Sequence, residues 1–112
     1  MRIKRHALIF VVDDGPAVVE VLNAFLTDEG FSVKKFSNGQ KALDFAEVQE
    51  PDVVISDVQM PGLDGVSMAR QISQRYPRCK VLLMSGSATA GTGFKVFQKP
   101  VSLASLSRAL VE

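Results

Sequence analysis

Residues 53–65 read Val-Val-Ile-Ser-Asp-Val-Gln-Met-Pro-Gly-Leu-Asp-Gly, and they carry the clearest structural pattern of the chain. Its apolar start predicts a strand that is buried on both faces and runs into Asp57. A turn at residues 60–62 follows, because proline and glycine interrupt regular structure there. Apolar residues then recur at helical spacing at Val66, Ala69 and Ile72, which predicts a helix that ends before Pro77. Strand, turn and helix in succession are typical of an α/β fold.

The same alternation continues on both sides of this stretch. Further strands are predicted at residues 7–12, 31–36, 80–84 and 95–98. Helices are predicted from Pro16 to a stop at Gly30, around residues 42–46, and around residues 103–110. Strands that alternate with helices predict a parallel sheet with helices on both faces. The chain contains no internal repeat or linker, so residues 1–112 are predicted to form a single domain.

Composition excludes several classes of protein. With 46% hydrophobic and 22% charged residues, the chain has the composition of a globular protein with one core. A formal net charge of +1 provides no basic field, so we expect no nucleic-acid binding by this domain. No apolar stretch approaches the roughly 20 residues that span a bilayer, so we expect a cytoplasmic protein without membrane association. The lone Cys79 fits a reducing compartment and is interpreted as a buried structural thiol.

Reactive side chains follow the predicted strands at their carboxyl ends. Asp13 and Asp14 follow the first strand, Asp57 ends the third, Ser85 ends the fourth and Lys99 follows the fifth. Ligands of open parallel sheets bind at this edge, so we expect these groups to lie close together. Two carboxylates about 4 Å apart repel by about 4 kcal/mol at an effective dielectric constant of 20, which calls for a cation. Oxygen ligands without His or Cys favour Mg²⁺ over zinc.

A simpler interpretation of the aspartate pair stays open. Asp13 and Asp14 could cap the first predicted helix, because carboxylates are favourable at a helix N-terminus.

The sequence resembles the response-regulator receiver domains of two-component signalling. The resemblance covers nearly the whole chain and rests on four motifs in order: Asp13-Asp14-Gly15-Pro16, residues 57–65, Met84-Ser85-Gly86 and Lys99-Pro100. It implies a flavodoxin-like, doubly wound sheet of five parallel strands in the order 2-1-3-4-5. It also implies a signalling switch rather than an enzyme.

The resemblance assigns a role to each acidic residue of this edge. Asp57 would accept a phosphoryl group from a histidine kinase or a histidine phosphotransfer protein, forming an acyl phosphate. Mg²⁺ (or Mn²⁺) would be bound by Asp14, Asp57 and the backbone carbonyl of Gln59, and by Asp13 through water.

The remaining motif residues would contact the phosphoryl group or shape the site. Lys99 and the Ser85 hydroxyl would each bind a phosphoryl oxygen, with Ser85 shifting between signalling states. Pro61 and Gly62 would form the turn after Asp57, and Pro100 would follow a cis peptide bond.

The chain departs from the family between Ser85 and Lys99. Residues 86–94 number nine and include three glycines, too few residues for the usual helical connection. A fourth helix is therefore predicted to be short or absent. Its loss predicts an exposed apolar strip over strands four and five, suited to a homodimer or partner contact. The strip would comprise Leu82, Met84, Phe94, Val96 and Phe97.

Two alternative functions stay open. The chain could be a degenerate receiver that acts only as a protein-interaction module. It could also be a small nucleotide-binding enzyme, because Gly86 and Gly91 have the spacing of a P-loop after a strand. Thr92 stands where a P-loop requires lysine, which weakens this second alternative.

Overall fold

The computed structural model describes residues 6–87 and 91–111. Within them strands and helices alternate, except that the fifth strand follows the fourth. In chain order they are β1 Leu8–Val12, α1 Pro16–Asp28, β2 Ser32–Phe36, α2 Gly39–Ala46, β3 Val53–Asp57, α3 Gly65–Arg75, β4 Lys80–Ser85, β5 Lys95–Gln98 and α4 Leu103–Val111.

The strands form one parallel sheet in the order β2-β1-β3-β4-β5. The expected doubly wound, flavodoxin-like topology is therefore confirmed. All of β1 and β3 is buried, in keeping with their largely apolar sequences, whereas the edge strand β2 contains only exposed and half-buried residues. Val12 pairs with Ser56 and Asp57 pairs with Met84, so the ends of the three central strands are level.

Side-chain alternation along the strands sorts the apolar residues into two cores. Phe10, Val54 and Leu83 belong to the core shared with α2 and α3. Ile9 and Ile55 belong to the core on the other face, which α1 and α4 cover. Each face of a buried parallel sheet needs such a cover, and two helices supply it on each side.

The first helix begins and ends where the sequence predicts. The suggested capping of this helix by Asp13 or Asp14 is not observed. Its N-cap is Gly15, without a side-chain capping hydrogen bond, so Asp13 and Asp14 do not cap it. At its end Gly30 has a φ of 98°. The Gly30 N–H donates to Thr27 O (3.0 Å) and the Phe31 N–H to Leu26 O (3.1 Å). These two bonds form a Schellman motif, which favours glycine.

No helix connects β4 to β5 within the described residues 86–87 and 91–94. This part of the connection agrees with the predicted loss of the fourth helix, and residues 88–90 of the predicted loop lie outside the described residues. After Thr92 the chain enters β5 rather than a helix. A P-loop leads into a helix whose N-terminus binds phosphate, so the structure contradicts the nucleotide-binding alternative.

The predicted exposed strip over β4 and β5 is largely wrong. Leu82 and Met84 are only 2% and 0% exposed, because they face the core on which α4 packs. Phe94, Val96 and Phe97 are half-buried and pack against the two cores. A right-handed helical connection from β4 to β5 would cover the face of Leu83 and not that of Leu82 and Met84. The sequence pattern alone did not separate the two faces.

Two further expectations concern Cys79 and membranes. Cys79 is buried, and burial, with smaller contributions from Asp52 and Glu50, raises the pKa of its thiol to about 12. The interpretation as a structural thiol therefore fits, because the reactive thiolate form is disfavoured. Among the helices that the structure describes, none has both the length and the apolar character needed to cross a bilayer.

Candidate functional site at the carboxyl edge of the sheet

Three aspartates meet where β1 and β3 end. Asp13 directly follows β1 and Asp57 is the last residue of β3; both are buried, whereas Asp14 is exposed. One carboxylate oxygen from each lies within 4.8 Å of the others. The parallel arrangement of neighbouring strands thus brings together the three carboxylates that the sequence placed at this edge.

Lys99 supplies a positive charge to the cluster. Its Nζ lies 2.9 Å from Asp13 Oδ2 and 3.4 Å from Asp57 Oδ2. The lysine is placed by sheet pairing, since its backbone N–H donates to Ser85 O across the β4–β5 edge (2.7 Å). The Lys99–Pro100 peptide bond is cis, as the family resemblance implied. The ammonium group therefore bridges two of the three carboxylates.

Burial and the neighbouring groups together set the pKa of Asp57. Burial raises it, and the neighbouring Asp13 carboxylate raises it further. The charge and hydrogen bond of Lys99, together with a backbone hydrogen bond from Gln59, lower the pKa without cancelling these effects. For Lys99, burial lowers the pKa, but Asp13 and Asp57 outweigh burial and raise it overall. The pKa of Asp57 is thus raised overall, with burial as the largest cause.

The turn after β1 holds the Asp13 carboxylate in place. Its Oδ1 accepts a hydrogen bond from the Gly15 N–H (2.8 Å), while Oδ2 accepts from Lys99 (2.9 Å). Both oxygens therefore have partners before any ion binds. Asp14 is exposed at the rim of the cluster.

The remaining predicted residues surround the cluster. Ser85 is buried at the end of β4, and its Oγ accepts from the Ser87 N–H (3.2 Å). Gln59 approaches Asp57 through its backbone, and the proposed role of its carbonyl stays a prediction. Pro61 and Gly62 are exposed in the turn after β3, where Gly62 has a φ of 78°, a conformation that favours glycine.

Two residues for which the sequence predicted no role contact the backbone of Asp57. A Cβ at Gly65 would lie 2.0 Å from Asp57 O, so only glycine fits this close approach of α3 to β3. The buried Ser56 hydroxyl donates to the same oxygen (2.9 Å). The Asp64-Gly65 pair at the start of a predicted helix was the available signal for Gly65. Nothing in the sequence indicated the role of Ser56.

The donor set of the cluster fits a hard divalent cation. It offers carboxylate oxygens and contains neither His nor Cys among the described residues. Oxygen ligands with an exposed rim, where water can complete the coordination, suit Mg²⁺ or Mn²⁺.

Comparison with known proteins identifies the family of the chain. A family model for the response regulator receiver domain matches residues 9–106. The DNA-binding transcriptional regulator NtrC of Klebsiella pneumoniae is 33% identical over 95 residues, which make up 85% of this chain and 20% of NtrC. The chain thus spans only about a fifth of the length of this relative.

Solved structures show the same fold. The signal receiver domain of an HD domain-containing protein from Pseudomonas fluorescens Pf-5 has a TM-score of 0.87 at 23% identity, covering 95% of this chain and 92% of that one. The response regulator TrrA of Thermotoga maritima, in complex with Mg²⁺ and BeF, has a TM-score of 0.84 at 26% identity, covering 93% and 96%. Because the family model spans most of the sequence and the fold agrees, the chain belongs to the response regulator receiver domain family.

Proposed function

We propose that residues 1–112 act as a receiver that accepts a phosphoryl group on Asp57 and changes conformation to transmit a signal. The observation that carries the proposal is the cluster of Asp13, Asp14 and Asp57, two of whose carboxylates are bridged by Lys99. Receiver domains of response regulators are signalling modules rather than conventional enzymes. The phosphodonor would be a histidine kinase or a histidine phosphotransfer protein.

Mg²⁺ would be held by Asp14 and Asp57, with the Gln59 carbonyl as a further ligand and Asp13 reaching it through water. When bound, the ion would neutralise charge on the phosphoryl oxygens during transfer. The geometry supports this assignment, because one carboxylate oxygen from each of the three aspartates lies within 4.8 Å of the others and Lys99 bridges two of them.

The chain's own residues position the reactants. An Asp57 carboxylate oxygen forms the new bond to phosphorus, and the bond from phosphorus to the donor's histidine nitrogen breaks, leaving its electron pair on the imidazole. Lys99 lies close enough to Asp57 to contact a phosphoryl oxygen there, once the lysine ammonium separates from Asp13. Ser85, buried at the end of β4, would hydrogen-bond a second oxygen. Phosphoryl transfer requires mainly this kind of positioning and charge neutralisation.

A groove beside the site offers a docking surface for the phosphodonor protein. It runs from Lys99 to α1 and α4, and its lining is mostly apolar: Ala17, Val18, Val21, Leu22, Lys99, Pro100, Val101 and Leu103. Val21 is 56% exposed there. Because Lys99 lines both the groove and the site, a protein that delivers a phosphoryl group to Asp57 would cover the groove.

We expect Val21→Asp to slow transfer from a phosphohistidine protein but not from acetyl phosphate. Val48→Asp, a control at another exposed valine after α2, should change neither rate.

A homodimer or partner contact over β4 and β5 would use a smaller surface than the sequence suggested. Only Phe94, Val96 and Phe97 of the original strip are partly exposed. Light scattering over a concentration series, with and without phosphodonor, would detect it as a rise in mass. A constant monomer mass in both states would exclude self-association through these residues.

Intact-mass analysis tests the proposed function itself. Incubation with acetyl phosphate and Mg²⁺ should add one phosphoryl group to the wild type, and chelation of the metal should prevent it. Asp57→Asn should take up none, whereas Asp44→Asn, at an exposed position in α2, should behave as wild type. An unmodified wild type would instead support the degenerate receiver that acts only through protein interactions.

A further inference from the structure

The backbone carbonyl of Asp57 is contacted by two residues that have no assigned role in the site. Ser56 is 0% exposed and its hydroxyl donates to Asp57 O at 2.9 Å. From the first turn of α3, the Gly65 backbone approaches so closely that an added Cβ would lie 2.0 Å from the same oxygen. The carbonyl oxygen thus lies between the Ser56 hydroxyl and the N-terminus of α3.

The peptide that follows Asp57 is fixed by its other neighbours as well. The Val58 N–H donates to Met84 O on β4 (2.8 Å), and Val58 O accepts from the Gly65 N–H (2.9 Å). Alternation along β3 places Ser56 on the same face as Val54, which belongs to the core beneath α2 and α3. Strand β4 and helix α3 therefore hold Val58, and the serine hydroxyl holds the carbonyl of Asp57.

This arrangement bears on the direction of the Asp57 side chain. A rotation of the peptide between Asp57 and Val58 would turn the carbonyl away from Ser56. It would also shift the amide of Gln59, which hydrogen-bonds the Asp57 carboxylate. Small displacements of a reacting group lower transfer rates steeply, because the reacting atoms must approach closely and in line.

We propose that Ser56 is a positioning residue for phosphoryl transfer: its hydroxyl holds the Asp57 carbonyl beside the N-terminus of α3 and so keeps the carboxylate aimed at its partners in the site. The inference rests on the proposed function. Ser56 acts through the backbone and touches neither the phosphoryl group nor the metal.

The test compares rates of phosphorylation by acetyl phosphate at saturating Mg²⁺, at a low temperature where every variant is folded. Ser56→Ala should react about tenfold more slowly than wild type. Ser56→Thr keeps a hydroxyl and should react within about twofold of wild type. Val54→Ala, which creates a cavity two residues earlier on the same face, lowers stability without touching the carbonyl and should keep the wild-type rate. Urea unfolding of each variant reports stability separately.

The outcomes separate the inference from the function on which it rests. A wild type that takes up no phosphoryl group overturns both. A phosphorylated wild type with an equally fast Ser56→Ala variant overturns the inference alone, as does an equal slowing of Ser56→Ala and Val54→Ala. Should Ser56→Ala fail to fold, Ser56→Cys, which has similar volume but a weaker donor, must show the slower rate.

Discussion

At the scale of single residues, the charge on Asp57 opposes the stability of the fold. Burial and Asp13 raise the pKa of its carboxyl above the ordinary value of 3.8, so the folded chain binds this proton more tightly than the unfolded chain. The contribution of Asp57 to the free energy of unfolding therefore falls as the pH rises from 3.8 through the raised pKa.

Asp57→Asn should accordingly unfold with a larger free energy than wild type at neutral pH, without divalent cations. The difference should shrink on acidification and vanish below the ordinary pKa of 3.8, where both side chains are neutral. Urea unfolding across a pH series measures it. A variant that is less stable than wild type at neutral pH would show that Lys99 compensates the buried charge fully.

A second prediction concerns the substitution of Gly65. A methyl group there would lie 2.0 Å from Asp57 O and 2.9 Å from both Asp57 C and Val58 Cα, so the backbone must move apart. We expect Gly65→Ala to lower the free energy of unfolding by about 1–3 kcal/mol, as overpacked sites do. Gly86→Ala is the control, because an added Cβ there meets nothing within 4 Å. Equal stabilities of the two variants would argue against the close approach.

At the scale of elements, α3 depends on its first turn for its position beside the site. Asp64 is its N-cap and accepts a hydrogen bond from the Ser67 N–H (2.8 Å). Asp64→Ala should cost about 1 kcal/mol of unfolding free energy in urea or thermal unfolding. Asp44→Ala, an exposed acidic residue within α2, should cost less. A loss no greater than that of the control would mean that the cap contributes little.

The sequence predicts these elements well where local patterns decide them. The apolar runs of β1 and β3 and the stop at Gly30 follow from periodicity and from turn chemistry. The N-cap of α1 was less predictable, because Asp13 accepts hydrogen bonds from the Gly15 N–H and from the distant Lys99 instead of capping the helix. The prediction that Leu82 and Met84 are exposed was wrong for a related reason. Alternation assigns side chains to the two faces of the sheet but does not say which helix covers each face.

At the scale of the whole molecule, topology makes the site predictable. Residues distant in sequence meet because parallel strands carry their carboxyl ends to one edge, so Asp13, Asp14, Asp57 and Lys99 could be expected together. The individual contacts among these side chains could not be predicted. Lys99 lies closer to Asp13 than to Asp57, and Gly65 approaches the Asp57 carbonyl because α3 packs closely on β3. The Ser56 hydroxyl reaches the same carbonyl from the neighbouring position on β3.

Metal binding should stabilise the whole fold through linkage. An ion that binds only the folded state at about 100 times its dissociation constant adds about 2.7 kcal/mol to the free energy of unfolding. Mg²⁺ should therefore raise the melting temperature of the wild type, and Asp14→Asn should reduce this rise strongly. Asp28→Asn, at an exposed acidic position at the end of α1, serves as the control and should respond normally. A full Mg²⁺ response in Asp14→Asn would remove Asp14 from the ligand set.

Peptide mapping of the phosphorylated chain determines whether Asp57 carries the phosphoryl group as an acyl phosphate. After reaction with acetyl phosphate and Mg²⁺, the label should map to Asp57 at the end of β3 and be released by hydroxylamine, which attacks acyl phosphates but not phosphate esters. A hydroxylamine-resistant label on Ser56, Ser85 or any other hydroxyl residue would contradict the account.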